Sequence, residues 1–206
     1  MNQELYRFPT PFVYHEQLDA HKDIKEYLVE NINDDIELNG EDYLKKMGGD
    51  WDCTIVSSYW RESPLPFMYQ ELYDTIVWQP LVRALNLLVA SDSNETAPNQ
   101  PQLTEFWYNK YVPGQYQEVH DHMIPGDRHT TYSGVYVLEM DEKEINPTTF
   151  YYDKVPCHIN AGRPMQYRTQ DLKEGCVIIF PSSLMHYVKP ALYNRTSISF
   201  NITTEV

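Results

Sequence analysis

His120 and His122 stand two apart in the stretch VHDHM, and His186 opens HYVKP later in the chain. Arg195 follows in NRTSISFN. A close His pair and a distant His supply three nitrogen ligands to one face of a transition metal and leave the opposite face open. A guanidinium just beyond the third ligand can fork onto a carboxylate. The set suits iron(II) working with an anionic co-substrate and dioxygen. A single isolated His is usually solvated or satisfied in a core. The pair, the His after a strand and turn, and the Arg beyond it together favour the metal.

Side chains alternate faces along a strand. In QEVHDHM, His120 and His122 therefore point one way and Asp121 the other, with Glu118 on the histidine face. CVIIFPSSLMHYV offers an apolar strand and a Pro-Ser turn that would deliver His186 from elsewhere. Ring nitrogens sharing one metal should lie within about 3–4.5 Å of each other even without it. In the last segment Arg195, Ser197 and Ser199 share a face. A cation turned into a sheet interior needs an anion, and a bound carboxylate meets that need, with Ser197 adding a hydroxyl. The competing reading is a surface Arg at a strand end. If a carboxylate replaces His122 as second ligand, Glu118 and Asp127 are the alternatives. Trp107, Tyr108 and Asn109, on the strand before the ligands, are expected to line the pocket, or to serve in ordinary packing. The loop MIPGDRHTTY is a lid candidate. His15, His21, His129 and His158 sit in no such setting and read as solvent-exposed, with His129 in a loop that could overhang a site.

These side chains need a rigid frame. Residues 5–14, LYRFPTPFVY, read as an edge strand or extended arm. LDAHKDIKEYLVENIND is helical, with Leu18, Ile24, Leu28 and Ile32 near one face. ELNGEDYLKKMGGDWD reads as a loop with a turn at Gly48-Gly49, and DCTIVSSYW as a strand. PLPFMYQELYDTIVWQPLVRALNLLVA is the strongest helical stretch, with Pro80 expected to kink or split it. SDSNETAPNQPQ then connects a helical and extended part, residues 1–100, to a β-rich part, residues 101–206. The second part shows about eight short strands with turns between them, which suggests a sandwich or barrel. The fold expected is a single mainly β domain with α: a jelly roll with the N-terminal helices packed on one sheet.

Composition agrees with that frame. The chain has 206 residues, 42% of them hydrophobic, enough for a core. Its 17 Tyr favour strands, and its 14 Pro and 8 Gly favour turns. A net charge of −14 with no basic block disfavours nucleic acid as a partner. The three cysteines, Cys53, Cys157 and Cys176, follow no disulfide or zinc pattern. No secretory signal and no apolar membrane-length run is present, so the expectation is a cytoplasmic protein without a membrane partner. The substrate and the oligomeric state are not readable.

The order HxH, YSGVYVLEM, GCVIIFPSSLMHYVKP and NRTSISFN resembles the Fe(II)/2-oxoglutarate-dependent oxygenases, and within them is similar to the 2OG-Fe(II) oxygenases of phages and marine bacteria. The resemblance covers residues 106–201. It implies a double-stranded β-helix, with Fe(II), 2-oxoglutarate and O2 as cofactor and co-substrates. It also implies a hydroxylase that couples 2-oxoglutarate decarboxylation to substrate oxidation. Carried over by position, the metal ligands fall on His120 and His186, and the anchor for the far carboxylate of 2-oxoglutarate falls on Arg195. Ser197 matches the residue two places on, and Tyr136 a strand tyrosine that contacts the co-substrate. His122 departs from the commoner HxD or HxE. Without a ligand carboxylate the metal keeps more positive charge, which should tighten binding of a dianion and raise the reduction potential. The rivals are a cupin-like metal enzyme without 2-oxoglutarate, in which Arg195 has no task, and an inactive jelly-roll binding module.

Overall fold

The computed structural model describes residues 11–91, 99–123, 130–145, 148–152, 165–168 and 172–205. In chain order come β1 (Tyr14–Gln17), α1 (His21–Asp50), β2 (Val56–Ser57), a 3-10 turn (Ser58–Trp60), α2 (Gln70–Tyr73), a π-turn (Asp74–Trp78) and α3 (Gln79–Ser91). Then follow β3 (Asn99–Tyr111), β4 (Gln117–His120), β5 (Thr130–Met140), β6 (Thr148–Tyr152), β7 (Met165–Arg168), β8 (Cys176–Pro181), β9 (His186–Val188) and β10 (Arg195–Glu205). A six-stranded sheet runs β1-β8-β5-β10-β3-β2 and a four-stranded sheet runs β4-β9-β6-β7. The two sheets form the expected jelly roll, the double-stranded β-helix.

Strand alternation sorts the layers. On β8, Val177 and Ile179 join the helices in one core, while Ile178 and Phe180 face the space between the sheets. On β5, Tyr136 and Leu138 take the helix side, and Val135 and Val137 the inter-sheet side. On β10, Ile198, Phe200 and Ile202 pack toward Leu28, Ile32, Leu72, Ile76 and Leu81 of the helical layer. That turns Arg195, Ser197, Ser199 and Asn201 inward between the sheets. Gly134 pairs with Phe200 across β5 and β10. Any Cβ at position 134 would overlap the Phe200 ring, so only Gly fits there.

The helical layer differs from the sequence reading in the length of its first helix. The segment read as a loop with a Gly48-Gly49 turn lies, up to Asp50, inside α1, which runs for 30 residues. Contacts around Asp35 hold the helix together: Tyr43 Oη, two turns on in α1, donates to Asp35 Oδ2 at 3.0 Å, and Tyr108 Oη, from β3, to the same oxygen at 2.6 Å. Arg61 Nη1 closes the cluster on Asp35 Oδ1 at 2.6 Å. Local turn propensity could not anticipate that anchor. Pro80, expected to kink or split the second helical stretch, follows a π-turn that divides it into α2 and α3, where the Gln79 N–H reaches back to the Asp74 carbonyl. The widened turn accommodates a residue that has no N–H to give.

The strand expected over DCTIVSSYW shrinks to β2, because Ser57 caps the 3-10 turn that follows. β1 begins at Tyr14, where the anticipated arm ends, and residues 5–10 of that arm lie outside the described residues. Most of the lid-candidate loop, with Asp127 and His129, and also His158 and Cys157, lie outside them too. No helix among the described residues is long and apolar enough to cross a membrane.

Candidate metal centre

The three histidines arrive from three places. His120 ends β4 and pairs directly with His186 at the start of β9. His122 lies past the end of β4, so strand parity does not orient it. Its backbone N–H donates to the Ser182 carbonyl at 2.9 Å, in the turn after β8. Its ring stacks beside His120, with centroids 5.4 Å apart and planes 18° apart. One ligand nitrogen from each of His120, His122 and His186 lies within 4.8 Å of the other two.

Hydrogen bonds show which nitrogen faces the centre. His120 Nδ1 donates to the Glu118 carbonyl at 2.7 Å, and His186 Nδ1 to the Leu184 carbonyl at 3.0 Å. His122 Nδ1 lies 2.9 Å from Asn201 Oδ1. With each Nδ1 committed as a donor, each Nε2 carries a lone pair. Burial holds the rings neutral. It lowers His120, pushes His122 down to about 3 with help from His120, and takes His186 well below the ordinary value. Neutral imidazoles with aligned lone pairs are ligand chemistry. Imidazole–metal bonds of about 2.0–2.1 Å would set adjacent nitrogens about 3 Å apart. The observed span is slightly wider than the range expected from the sequence, a gap that small side-chain rotations can close.

The histidines line a cavity of about 220 Å³. Arg195, Ser197, Ser199 and Asn201 form its floor along β10. Arg195 is 2% exposed. Its Nη2 donates to Thr148 Oγ1 at 3.1 Å, and its guanidinium carbon stands 5.6 Å from the Tyr111 ring centre. Among the described residues Nε and Nη1 have no hydrogen-bond partner. Burial depresses its pKa, opposed by Tyr111 and Glu144. A buried cation with two unmet donors lining the cavity fits an incoming carboxylate.

Of the pocket residues expected from the sequence, Trp107 and Asn109 line the cavity. Tyr108 and Tyr136 do not. Both lie in the core against the helices, Tyr108 bound to Asp35 and Tyr136 Oη 2.7 Å from His21 Nδ1. Their strands expose odd-numbered neighbours to the cavity, so these two residues face away. His21 is accordingly buried rather than exposed. Glu118, the described carboxylate alternative, turns to the segment after α1. Its Oε1 accepts from the Asp52 and Cys53 N–H groups at 2.5 and 2.9 Å.

Sequence reasoning missed several contributors. Trp51 sets its ring edge-on to His120, with centroids 5.0 Å apart, and Tyr59 lies 5.0 Å from both Trp60 and Trp107. Nothing local marks Trp51 or Thr148. Asn201 was findable, since it continues the alternation of Arg195, Ser197 and Ser199.

A family described as "Putative 2OG-Fe(II) oxygenase" matches residues 105–201, just under half of the chain and a stretch that contains all three histidines and Arg195. No curated protein matches the sequence. Among solved structures the chain is similar to a Pseudomonas putida prolyl-4-hydroxylase, with TM-score 0.56 and 13% identity over 96% of this chain and 95% of that one. It is similar to the non-haem alpha-ketoglutarate-dependent carbocyclase SnoK from nogalamycin biosynthesis, with TM-score 0.59 and 10% identity over 93% and 79%. A viral collagen prolyl hydroxylase from Paramecium bursaria Chlorella virus-1, solved with 2OG, has TM-score 0.50 and 15% identity over 93% and 97%. At these identities the structural likenesses speak for the fold.

Proposed function

We propose that this chain, which matches the 2OG-Fe(II) oxygenase family over residues 105–201, holds its iron(II) on His120, His122 and His186, while Arg195, assisted by Ser197, anchors the far carboxylate of 2-oxoglutarate. The protein is a 2-oxoglutarate-dependent oxygenase. The observation that carries the residue assignment is the pairing, in one cavity, of three converging Nε2 lone pairs with a buried guanidinium that has two unmet donors. Iron held there with 2-oxoglutarate would supply the oxidation: of the two atoms of O2, one would enter the succinate left when 2-oxoglutarate loses CO2, and the other a substrate C–H bond.

The chain's own residues do the rest. Three Nδ1 hydrogen bonds hold the imidazoles in one tautomer and orientation. Arg195 and Ser197 fix the co-substrate at one end of the cavity, and the sheet walls keep that end dry. The substrate enters on the side of Trp51, Tyr59, Trp60 and Trp107. Among the described lining residues Arg195 is the only Lys or Arg and Asp121 the only carboxylate, so with Arg195 given to the co-substrate the lining suits a neutral or cationic substrate. A prolyl ring, named for the Pseudomonas and viral enzymes, would pack well on such faces. The free buried thiols Cys53 and Cys176 fit a reducing compartment such as the cytoplasm.

An anaerobic titration with Mn(II), followed by 2-oxoglutarate, tests the reading. One Mn(II) should bind per chain, and His186→Ala should lose it with an unchanged circular dichroism spectrum. 2-Oxoglutarate should then bind the metal-loaded protein, and ten- to a hundredfold more weakly in Arg195→Ala, from a loss of ~1.5–3 kcal/mol. Metal binding without 2-oxoglutarate binding would favour a cupin-like enzyme. No metal binding would favour an inactive module.

A further inference from the structure

Asn201 stands at the middle of three strands. Across β10 and β3 it pairs with Glu105, and across β10 and β5 with Ser133. Its side chain lines the cavity and is 2% exposed as a residue. Every polar atom of that side chain is engaged. Nδ2 donates to Glu105 Oε2 at 2.5 Å. Oδ1 accepts from Ser133 Oγ at 2.7 Å and faces His122 Nδ1 at 2.9 Å. Ser133 Oγ is itself 2.8 Å from Ser182 Oγ, and the Ser182 carbonyl holds the His122 backbone N–H.

This network settles a chain of orientations. A carboxylate oxygen only accepts, so the Asn201 group facing Glu105 must be the NH2. The carbonyl must then face His122, and His122 must present Nδ1–H to it. The lone pair is left on Nε2, toward the other two histidines. Among the described residues, His120 and His186 bond to neutral backbone carbonyls, and His122 is the one of the three tied, through an amide, to a carboxylate. It also occupies the ligand position at which the sequence departs from HxD and HxE.

We propose that Asn201 and Glu105 form an anionic relay behind His122, in which Glu105 supplies from outside the ligand set the negative charge that a ligand carboxylate would supply from within it. The relay rests on the three-histidine reading above. Asn201 sets the tautomer and tilt of His122. Glu105 polarises the amide, strengthens the accepting power of its carbonyl, and so makes the imidazole a better donor to the metal. Both are positioning residues, since they act through His122. Partners of this kind typically cost ten- to a hundredfold in metal affinity when removed.

The test is Mn(II) affinity of the full chain, without 2-oxoglutarate, read from the electron paramagnetic resonance signal of free Mn(II). Glu105→Gln keeps the length and an acceptor for Asn201 Nδ2 but removes the charge. It should weaken Mn(II) about tenfold and leave the metal-free melting temperature in place. The Fe(III)/Fe(II) potential of the same variant should rise. Asn201→Leu should weaken Mn(II) further, and adding Glu105→Gln to it should change nothing more, because the charge has lost its connection. Wild-type affinity and potential in Glu105→Gln, or full additivity in the double variant, would overturn the relay. Should Asn201→Leu fail to fold, Glu105→Gln decides alone. A wild-type protein that binds no Mn(II) would sink the three-histidine reading itself and the relay with it. Normal wild-type binding with an indifferent Glu105→Gln would sink only the relay.

Discussion

Arg195→Met should separate folding stability from co-substrate binding, because the two depend on Arg195 with opposite sign. In the protein without co-substrate the guanidinium is buried with Nε and Nη1 unmet. Each unmet buried donor costs about 1–3 kcal/mol, so the pair costs about 2–6 kcal/mol. Against that stand the bond to Thr148 and the Tyr111 ring. The charge-assisted bond contributes about 1.5–3 kcal/mol and the ring contact about 0.5–2 kcal/mol. Met keeps much of the apolar stem volume, and similar replacements of buried charge are often neutral or stabilising. Summed, these ranges run from about 3 kcal/mol less to about 4 kcal/mol more stable than wild type, and the behaviour of similar replacements places the variant in the upper part, between unchanged and about 4 kcal/mol more stable, or about 2–4 °C in melting temperature per kcal/mol for a chain this long. Urea unfolding without ligand measures this arm. The second arm repeats the unfolding with Mn(II) and 2-oxoglutarate. At a hundred times its Kd the co-substrate should stabilise wild type by about 2.7 kcal/mol and the variant hardly at all. A ligand-free variant more than about 2 kcal/mol less stable would show that the donors are already satisfied. Undiminished stabilisation by 2-oxoglutarate would remove Arg195 from its site.

In the metal-free protein, stability should fall as pH drops from about 6.5 toward 5. The buried imidazoles have folded pKa values below the ordinary one, that of His122 at about 3. In that window the unfolded chain binds protons that the folded chain refuses, and stability rises with pH wherever that holds. Urea midpoints across the window check the slope, which His122→Gln should flatten. Gly134→Ala should destabilise by about 1–3 kcal/mol or more, because the new methyl overlaps Phe200 in a packed core; a melting temperature equal to wild type would contradict the packing described. Tyr136→Phe should cost about 1–2 kcal/mol by leaving the buried His21 Nδ1 without its hydroxyl partner and leave 2-oxoglutarate affinity unchanged, as titration of the metal-loaded variant would show.

The residues of the site were legible where polarity alternates. Along β10, Arg195, Ser197, Ser199 and Asn201 interleave with Thr196, Ile198, Phe200 and Ile202, so the polar face announces itself, and the sequence sufficed to turn Arg195 inward. The apolar strand before His186 likewise foretold its meeting with His120, whereas His122, beyond the end of β4, is placed by its bond to Ser182 and not by the parity that the HxH spacing suggests. Along β5 and around Trp107 both faces are apolar or aromatic, because one packs on helices and the other on the opposite sheet. Period-two alternation then says that Tyr136 and Val137 differ in face but not which face is the pocket. Tyr136 and Tyr108 were misplaced for that reason. The length of α1, the burial of His21 and the hold of Asn201 on His122 depend on partners far along the chain: Tyr108 for Asp35, Tyr136 for His21, Glu105 for Asn201. Alternation is a property of neighbours in sequence and can be read from it. Which surface a doubly buried strand turns to the cavity, and which distant carboxylate closes a hydrogen-bond chain, are set only when the sheets pair and the helices pack.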